Sequence, residues 1–457
     1  MNAAPVLGRL GEAGAEAPGS APSAAFCTLG CKVNQYETQR LVDTFERAGF
    51  RVVPPGARAD VCVLNSCSVT ATAEQKSRQA LRRLLRRSEG AAVVLTGCWV
   101  EMARRTGAPL PESSVLVPNA TKLEALDRLL EARPDLASRL ARRPTGASLP
   151  ASLVRTRAVL KVQDGCDQHC AFCSIPLTRG APRSRPASDV LAEARAVATS
   201  GRREIVVTGV LLGSYGPDTG SGGPSLPDLL RALAAIEGIE RVRLSSIEPN
   251  HATPELLDAI AETPTLCRHL HLPLQSGSSR VLAAMGRPYR REAFVATCRD
   301  AQRLVPGLAI TTDIIVGFPG ETRSDFAETL AVVRDVGFAR SHVFRYSARP
   351  GTPAATTPDQ VSDEEKEARA RELSEACRAE QERWLRALVG TRQQVLAEGK
   401  EAGGGLLAGY TSSYVRVTFA GPRALVGSMV GVRILGAGVD QAWGQMEAEA
   451  QAARPNP

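Results

Sequence analysis

Six of the eleven cysteines in this 457-residue chain fall into two triplets, and their spacing points to metal chemistry. The tighter triplet lies in "KVQDGCDQHCAFCSIPLTRG", where Cys166, Cys170 and Cys173 follow the pattern C-x3-C-x2-C in one loop. Three thiolates from a single wrap of chain can hold three irons of a [4Fe–4S] cluster and leave the fourth iron open. Zinc is the alternative, with His169 as a fourth ligand, but a residue inside the wrap is awkwardly placed for the remaining vertex. The second triplet is dispersed. "TLGC", "LNSC" and "LTGC" end at Cys31, Cys67 and Cys98, separated by 36 and 31 residues. Each closes an apolar, strand-like run, and ligands of an open parallel sheet gather beyond the carboxyl ends of its strands. The three thiols can therefore converge on one rim, where Gly30, Ser66 and Gly97 permit tight turns. This part of the chain offers no histidine to complete a structural zinc site. The competing account is plain packing, since free cysteine is among the most buried residue types. Cys27 and Cys62, inside their strands, read that way.

The elements that must position these residues follow from the hydrophobic pattern. From residue 25 to 135, "AAFCTL", "ADVCVLN", "AAVVLT" and "VLVP" read as short buried strands, with amphipathic segments such as "YETQRLVDTFERAG" between them. Leu41, Val42 and Phe45 share one face of that segment. The alternation predicts a small parallel α/β sandwich, followed by a linker over residues 134–153. From 155 to 388, "AVLKVQ", "EIVVTGV", "RVRLSSI", "HLHLPL", "AITTDIIVGF" and "SHVFRYS" are strands, each followed by a helical segment. The last helix opens with Ser362 and Glu365 at capping-box spacing. Six β/α units predict a partial (β/α)6 barrel, with a doubly wound sheet as the alternative. From 389 to 450, short alternating segments punctuated by glycine predict a small antiparallel β-barrel, in the size range of OB-like RNA-binding modules. Residues 1–24 read as a disordered extension and "QMEAEAQAARPNP" as a frayed tail.

Composition bounds the setting. The chain is too long for one ordinary core, and no apolar run approaches the roughly 18 residues that a membrane span needs. The amino-terminal stretch lacks the pattern of a signal peptide. Clustered cysteines without an export signal suit a reducing, cytoplasmic compartment. The net charge of +8 suggests a polyanionic partner, although only six of the 56 basic residues are lysine, a bias that coding-DNA composition can also produce. Candidate contacts are Arg78, Arg82 and Arg86 along one helical ridge with Arg83 and Arg87 beside it, then Arg179, Arg183 and Arg185 beside the cysteine loop. Tyr410, Tyr414 and Arg416 are candidates for base stacking in the terminal barrel, against core packing for any aromatic that points inward.

A C-x3-C-x2-C loop heading six β/α units resembles the radical S-adenosylmethionine (SAM) superfamily, and "GCDQHCAFCSIPLTRG" resembles its methylthiotransferase branch. The resemblance spans residues 25 to 450, because that branch joins an N-terminal domain with three spaced cysteines to a radical SAM core and a TRAM-like RNA-binding barrel. "TLGCKVNQYET" and "VVTGVLLGSYG" are most similar to bacterial enzymes acting on N6-threonylcarbamoyladenosine in tRNA. Enzymes acting on isopentenyladenosine more often carry Gln-Met where Lys32-Val33 stand. The resemblance implies two [4Fe–4S] clusters. Cys166, Cys170 and Cys173 hold the one whose open iron chelates SAM, and Cys31, Cys67 and Cys98 hold the auxiliary one. It places Phe172 near the adenine of SAM, Gly209 near its amino-acid end, and Ser246, Glu248 and Gln275 along the rest of the barrel mouth. Polar strand ends merely satisfied by solvent are the competing account of these last residues. The implied reaction methylates a sulfur at the auxiliary cluster with one SAM and cleaves a second to a radical that activates C2 of adenine in the tRNA anticodon stem-loop. A sulfur donor and an electron donor are implied without being identified. The rivals are the same chemistry on isopentenyladenosine or on a ribosomal-protein aspartate, and a non-catalytic RNA-binding metal-cluster protein. Two departures from the branch, "GCWVEM" and "VPN", fall in the auxiliary-cluster domain and leave its three cysteines in place.

Overall fold

A computed structural model describes residues 21–112, 114–140, 156–219, 223–400 and 405–447. Most of the extension, most of the linker and the end of the tail lie outside these residues. Three boundaries move. Ser23 and Ala24 already belong to the first strand, Pro134–Ser138 is a short helix whose Leu136 is buried, and Gln445 and Met446 pair within the terminal barrel. The chain divides into two compact units. One comprises residues 1–155, 165–181 and 347–355; the other comprises 156–164, 182–346 and 356–457. The cysteine loop of residues 166–173 thus belongs to the first unit.

In the first unit, five parallel strands form a sheet in the order β2-β1-β3-β4-β5: β1 Ser23–Thr28, β2 Arg51–Val53, β3 Val61–Ser66, β4 Ala92–Gly97 and β5 Ser114–Val117. The pattern reading missed β2, since three residues at a sheet edge carry too little periodicity to register. Helix α1 (Lys32–Arg47) follows β1, α2 (Ala71–Arg87) follows β3 and α3 (Cys98–Thr106) follows β4. Leu41, Val42 and Phe45 of α1 are buried as the pattern predicts. Phe45 packs between Phe26 and Phe50, with ring centroids 5.3 and 5.0 Å away, a burial worth roughly 1.5–3 kcal/mol. The Thr70 hydroxyl accepts a bond from the Ala73 N–H and caps α2.

In the second unit, all six expected barrel strands form, and all pair in parallel. These are β6 Arg157–Lys161, β9 Glu204–Thr208, β10 Arg241–Leu244, β11 His269–His271, β12 Ala309–Val316 and β13 Arg340–Arg345; a two-residue ladder of β7 (Gln163–Asp164) and β8 (Arg183–Ser184) intervenes. They lie in the orders β10-β9-β6 and β11-β12-β13, joined by single bridges at Val242–Leu266 and Ser246–His271. Sequential order with every strand parallel is a partial (β/α)6 barrel, not a doubly wound sheet. The helix Asp363–Arg386 then leads to a closed five-stranded barrel, β14 Arg392–Lys400, β15 Leu406–Thr411, β16 Arg416–Ala420, β17 Met429–Ala437 and β18 Ala442–Met446. Four of its pairings are antiparallel, and β16 closes on β18 in parallel.

This terminal barrel seats on the amino ends of the large barrel's strands. Arg157, Glu204 and Arg241 stand in register across β6, β9 and β10. Arg241 and Arg243 both bond the buried Glu204 carboxylate, and their remaining donors reach the backbone carbonyls of Gln394, Tyr410, Thr411 and Ser412.

Candidate metal centre and strand ends

The three dispersed cysteines end neighbouring parts of one sheet. Cys31 is the N-cap of α1 and is exposed; Cys98 opens α3 and is buried. Two of the three thiols thus stand at helix starts. Cys67 follows β3 directly, and the Ser77 hydroxyl clamps it by accepting from its N–H at 3.1 Å and donating to its carbonyl at 2.9 Å. The strand ends fit so closely that two glycines are required. A Cβ on Gly30, at φ +98°, would lie 2.8 Å from the Cys67 sulfur, and one on Gly97, at φ +100°, would lie 2.2 Å from the Ser66 carbonyl oxygen. Burial pushes the Cys67 thiol up to about 12, the thiols of Cys98 and Cys31 add to the shift, and the Val69 N–H and the Arg179 charge oppose it. Cys62 is fully buried, and Cys27 packs against the same apolar cluster.

A buried polar layer lies beneath this rim. The Asn34 amide donates to the carbonyls of Leu29 at 2.8 Å and Ser66 at 3.0 Å, and the Asn65 amide donates to the Asn34 carbonyl at 3.0 Å. The Glu37 carboxylate is shared by two cations, Arg179 and Lys122. Arg179 also donates to the Asn34 side-chain oxygen at 2.7 Å, and Lys122 to that of Asn65 at 3.2 Å. Burial pulls the Lys122 ammonium below its ordinary value, with Glu37 and the Cys98 thiol acting in the opposite sense. Sequence reasoning offered Arg179 as a phosphate contact; it is only 4% exposed, so a phosphate cannot reach it.

The cysteine loop closes on itself where the Cys166 N–H bonds the Gly180 carbonyl at 2.9 Å. Backbone N–H groups of Gln168 and Ile175 approach the sulfurs of Cys166 and Cys173 at 3.4 and 3.5 Å. His169 is exposed, Cys170 is buried and Phe172 is half-buried. The two segments that carry the departures noted in the sequence are bonded to one another. Glu101 of "GCWVEM" accepts from the Asn119 N–H of "VPN" at 2.6 Å, and the Asn119 amide bonds the Thr178 carbonyl at 2.9 Å.

In the second unit, the carboxyl ends of the barrel strands carry the remaining candidates. Gly209 leaves room for Gln163, whose side-chain oxygen accepts the N–H groups of Val210 and Leu211 at 2.9 and 2.8 Å. Ser246 is exposed and bridges to His271. Glu248 is paired with Arg287, and burial raises its carboxyl against that charge. Gln275 holds a left-handed backbone (φ 62°) and bridges Ile314, a strained position of the kind that clusters at functional sites. Sequence reasoning missed the His271–Asp313 pair, 3.3 Å apart on the neighbouring strands β11 and β12. Each sits in an apolar run, and the only available signal was a polar residue that breaks it. Tyr410 and Tyr414 are half-buried and already engaged with arginines. Arg157 lies over both rings, 4.7 and 5.3 Å from their centroids, and Arg243 lies 4.6 Å from that of Tyr414. Arg416 is exposed.

Comparison with known proteins accords with this architecture. The Radical SAM superfamily model matches residues 160–333, and that of Uncharacterized protein family UPF0004 matches residues 23–116. The fold is similar to that of a radical SAM methyltransferase, TsrM, from Kitasatospora setae, with a TM-score of 0.52 at 14% identity over 73% of this chain and 77% of that one. These define a radical SAM protein with a thiol-bearing N-terminal domain. Among full-length relatives, the threonylcarbamoyladenosine tRNA methylthiotransferase of Bacillus subtilis is 36% identical over 92% of this chain and 95% of its own, and that of Thermotoga maritima 39% over 89% and 93%. The tRNA-2-methylthio-N(6)-dimethylallyladenosine synthase of Sorangium cellulosum is 38% identical over 95% of each. The chain belongs to the radical SAM methylthiotransferase family and is a transferase.

Membership implies SAM and a [4Fe–4S] cluster, and the residues present fit such a group. Among the described residues, no set of three His, Cys, Asp or Glu side chains is placed to hold a single metal ion. A four-iron cluster sets a different requirement, because each thiolate binds a different iron and the sulfurs stay farther apart. Two sets of three cysteines, with N–H groups directed at sulfurs of both, suit that requirement.

Proposed function

We propose that this chain is a tRNA methylthiotransferase that places a methylthio group on C2 of N6-threonylcarbamoyladenosine next to the anticodon. The observation that carries the reading is the pair of three-cysteine sets in a chain collinear with relatives named for that activity. On this reading Cys166, Cys170 and Cys173 hold the cluster that binds SAM, and Cys31, Cys67 and Cys98 hold an auxiliary [4Fe–4S] cluster. When bound, these groups supply the radical chemistry and the sulfur that acid–base catalysis cannot provide at an unactivated C–H bond. The protein's own part is positioning. Phe172, Gly209, Ser246, Glu248 and Gln275 take SAM, with Glu248 oriented by Arg287 and the strand-end turn at Gly209 fixed by Gln163. Arg82, Arg83, Arg86 and Arg87, all exposed on α2, meet tRNA phosphates. The enzyme works in the cytoplasm with a separate electron donor and sulfur donor. No helix among the described residues is long and apolar enough to cross a membrane.

Isopentenyladenosine is the second reading, favoured by the Sorangium relative. Mass spectrometry of tRNA nucleosides from a deletion strain, with and without the gene restored, decides between them. Loss and recovery of 2-methylthio-N6-threonylcarbamoyladenosine is expected. A change confined to the isopentenyl nucleoside would move the assignment to that substrate.

A further inference from the structure

A buried carboxylate shared by two cations is not, by itself, a stabilising device, because desolvation offsets most of the attraction. What Glu37, Arg179 and Lys122 do is better judged from what they touch. Arg179 donates to Asn34, which holds the carbonyls of Leu29 and Ser66; these lie two residues before Cys31 and one before Cys67. Lys122 donates to Asn65, whose side-chain oxygen would lie 2.9 Å from a Cβ on Gly97, the residue before Cys98. The two cations therefore connect, through Asn34, to the backbone beside Cys31 and Cys67, and through Asn65 they reach a side chain that lies close against Gly97, before Cys98. They are also within electrostatic reach of the sulfurs, since Arg179 acts on Cys67 and Cys98 acts on Lys122. Arg179 itself comes from the other cysteine loop, six residues after Cys173. That loop is anchored at Thr178 by Asn119 and closed at Gly180 by Cys166.

We propose that Arg179 and Lys122, bridged by Glu37, are positioning residues for the Cys31/Cys67/Cys98 centre and raise its reduction potential by holding fixed positive charge beneath it. The inference rests on the reading that those cysteines hold a cluster. Net charge around the cluster and bonds to its sulfurs set an iron–sulfur potential, and a buried cation favours the more negative, reduced form. Because one cation is delivered by the ligand loop of the SAM cluster, the electrostatics of one centre depend on the order of the other's loop.

The test uses full-length protein with Cys166, Cys170 and Cys173 all changed to Ala, so that a reconstituted cluster can reside only at the dispersed triplet. Iron content and a redox titration followed by electron paramagnetic resonance are measured in that parent and with Arg179→Met, Arg179→Lys or Lys122→Met added. Each Met variant is expected to shift the one-electron equilibrium at least tenfold toward the oxidised form, a midpoint about 59 mV lower. Arg179→Lys, which keeps the charge, is expected to stay within about threefold of the parent. Iron retained in both Met variants with an unmoved midpoint overturns the inference alone. If the Met variants lose iron, retention in Arg179→Lys supports it, and loss there too overturns it, since shape and not charge is then at work. A parent that binds no iron overturns the cluster reading, and the inference with it.

Discussion

Two carboxylates among the described residues lie buried between paired cations, and they serve different ends. Glu37 bridges Arg179 and Lys122; Glu204 bridges Arg241 and Arg243. All six side chains are less than a tenth exposed. The difference lies in where the spare donors go. Arg241 and Arg243 direct theirs to four backbone carbonyls of the terminal barrel, so the Glu204 cluster is a joint between two folded bodies. Arg179 and Lys122 direct theirs to two asparagine side chains that support the cysteine-bearing strand ends. The same acid–base motif is a structural fastening at the amino ends of one sheet and a support for cysteine-bearing strand ends at the carboxyl ends of another. Its function follows from its second partners and not from its composition.

The largest effect that can break this contrast is removal of the centre above that support. Cys67→Ala is expected to abolish methylthiolation while SAM cleavage under reductant persists, with iron content falling by about half. Loss of SAM cleavage as well would mean that the two triplets are not separate centres. The joint gives the next largest effect. Arg243→Met leaves Glu204 buried with one partner fewer, and breaking such a pair costs about 3–5 kcal/mol. A denaturant midpoint little changed from wild type would show that the cluster is not a fastening. The same variant should leave the cluster's midpoint unmoved when folded, which separates it from Arg179→Met.

Acid titration sharpens the joint further. Burial raises the Glu204 carboxyl, but the charges of Arg243 and Arg241 and the bond from Arg243 outweigh it and hold the group below the usual glutamate range. A depressed folded value contributes stability that is present above the unfolded value, near about 4.3, and lost as pH falls through the folded one. Stability of the wild type should therefore drop more steeply below about pH 4 than that of Glu204→Gln. Parallel acid limbs would remove Glu204 from the account. Tyr414→Leu is a milder probe. It deletes a ring beneath both Arg157 and Arg243, and about 1–2 kcal/mol is expected for desolvated cation–π contacts.

The contrast also marks what the sequence could reveal. Cys31, Cys67 and Cys98 were legible because each ends an apolar run, and parallel strands carry their ends to one rim. The six strands of the large barrel were legible from the same alternation. Arg179 was misjudged because a basic residue beside an exposed loop is ordinarily solvated, and nothing local signals Glu37, 142 residues earlier. The arginine partners of Tyr410 and Tyr414 were hidden for a related reason. The pattern shows that a small barrel forms but not which of its faces seats against β6, β9 and β10. Tertiary pairings such as Glu204 with Arg241, 37 residues apart, carry no period that a window can detect.

The smallest effect concerns the basic face of α2, which lies in the same unit as Glu37 but outside both clusters. Arg82, Arg83, Arg86 and Arg87 are exposed, while Leu81 and Leu84 bury the opposite side of the helix. Arg78 is engaged with Glu74 at 2.6 Å and lies 5.9 Å from the Trp99 ring centroid, so it is less available to a partner. If the exposed four meet tRNA phosphates, Arg82→Gln with Arg86→Gln should weaken tRNA binding at low salt. It should also reduce the slope of log K against log salt by about 0.7 for each phosphate of single-stranded RNA that is no longer neutralised. Folding should be nearly untouched, since surface changes of this kind fall within about 0.5 kcal/mol. Removing both arginines thus predicts a slope change of about 1.4, and Arg78→Gln alone predicts little. An unchanged slope in the double variant would leave α2 a solvated face.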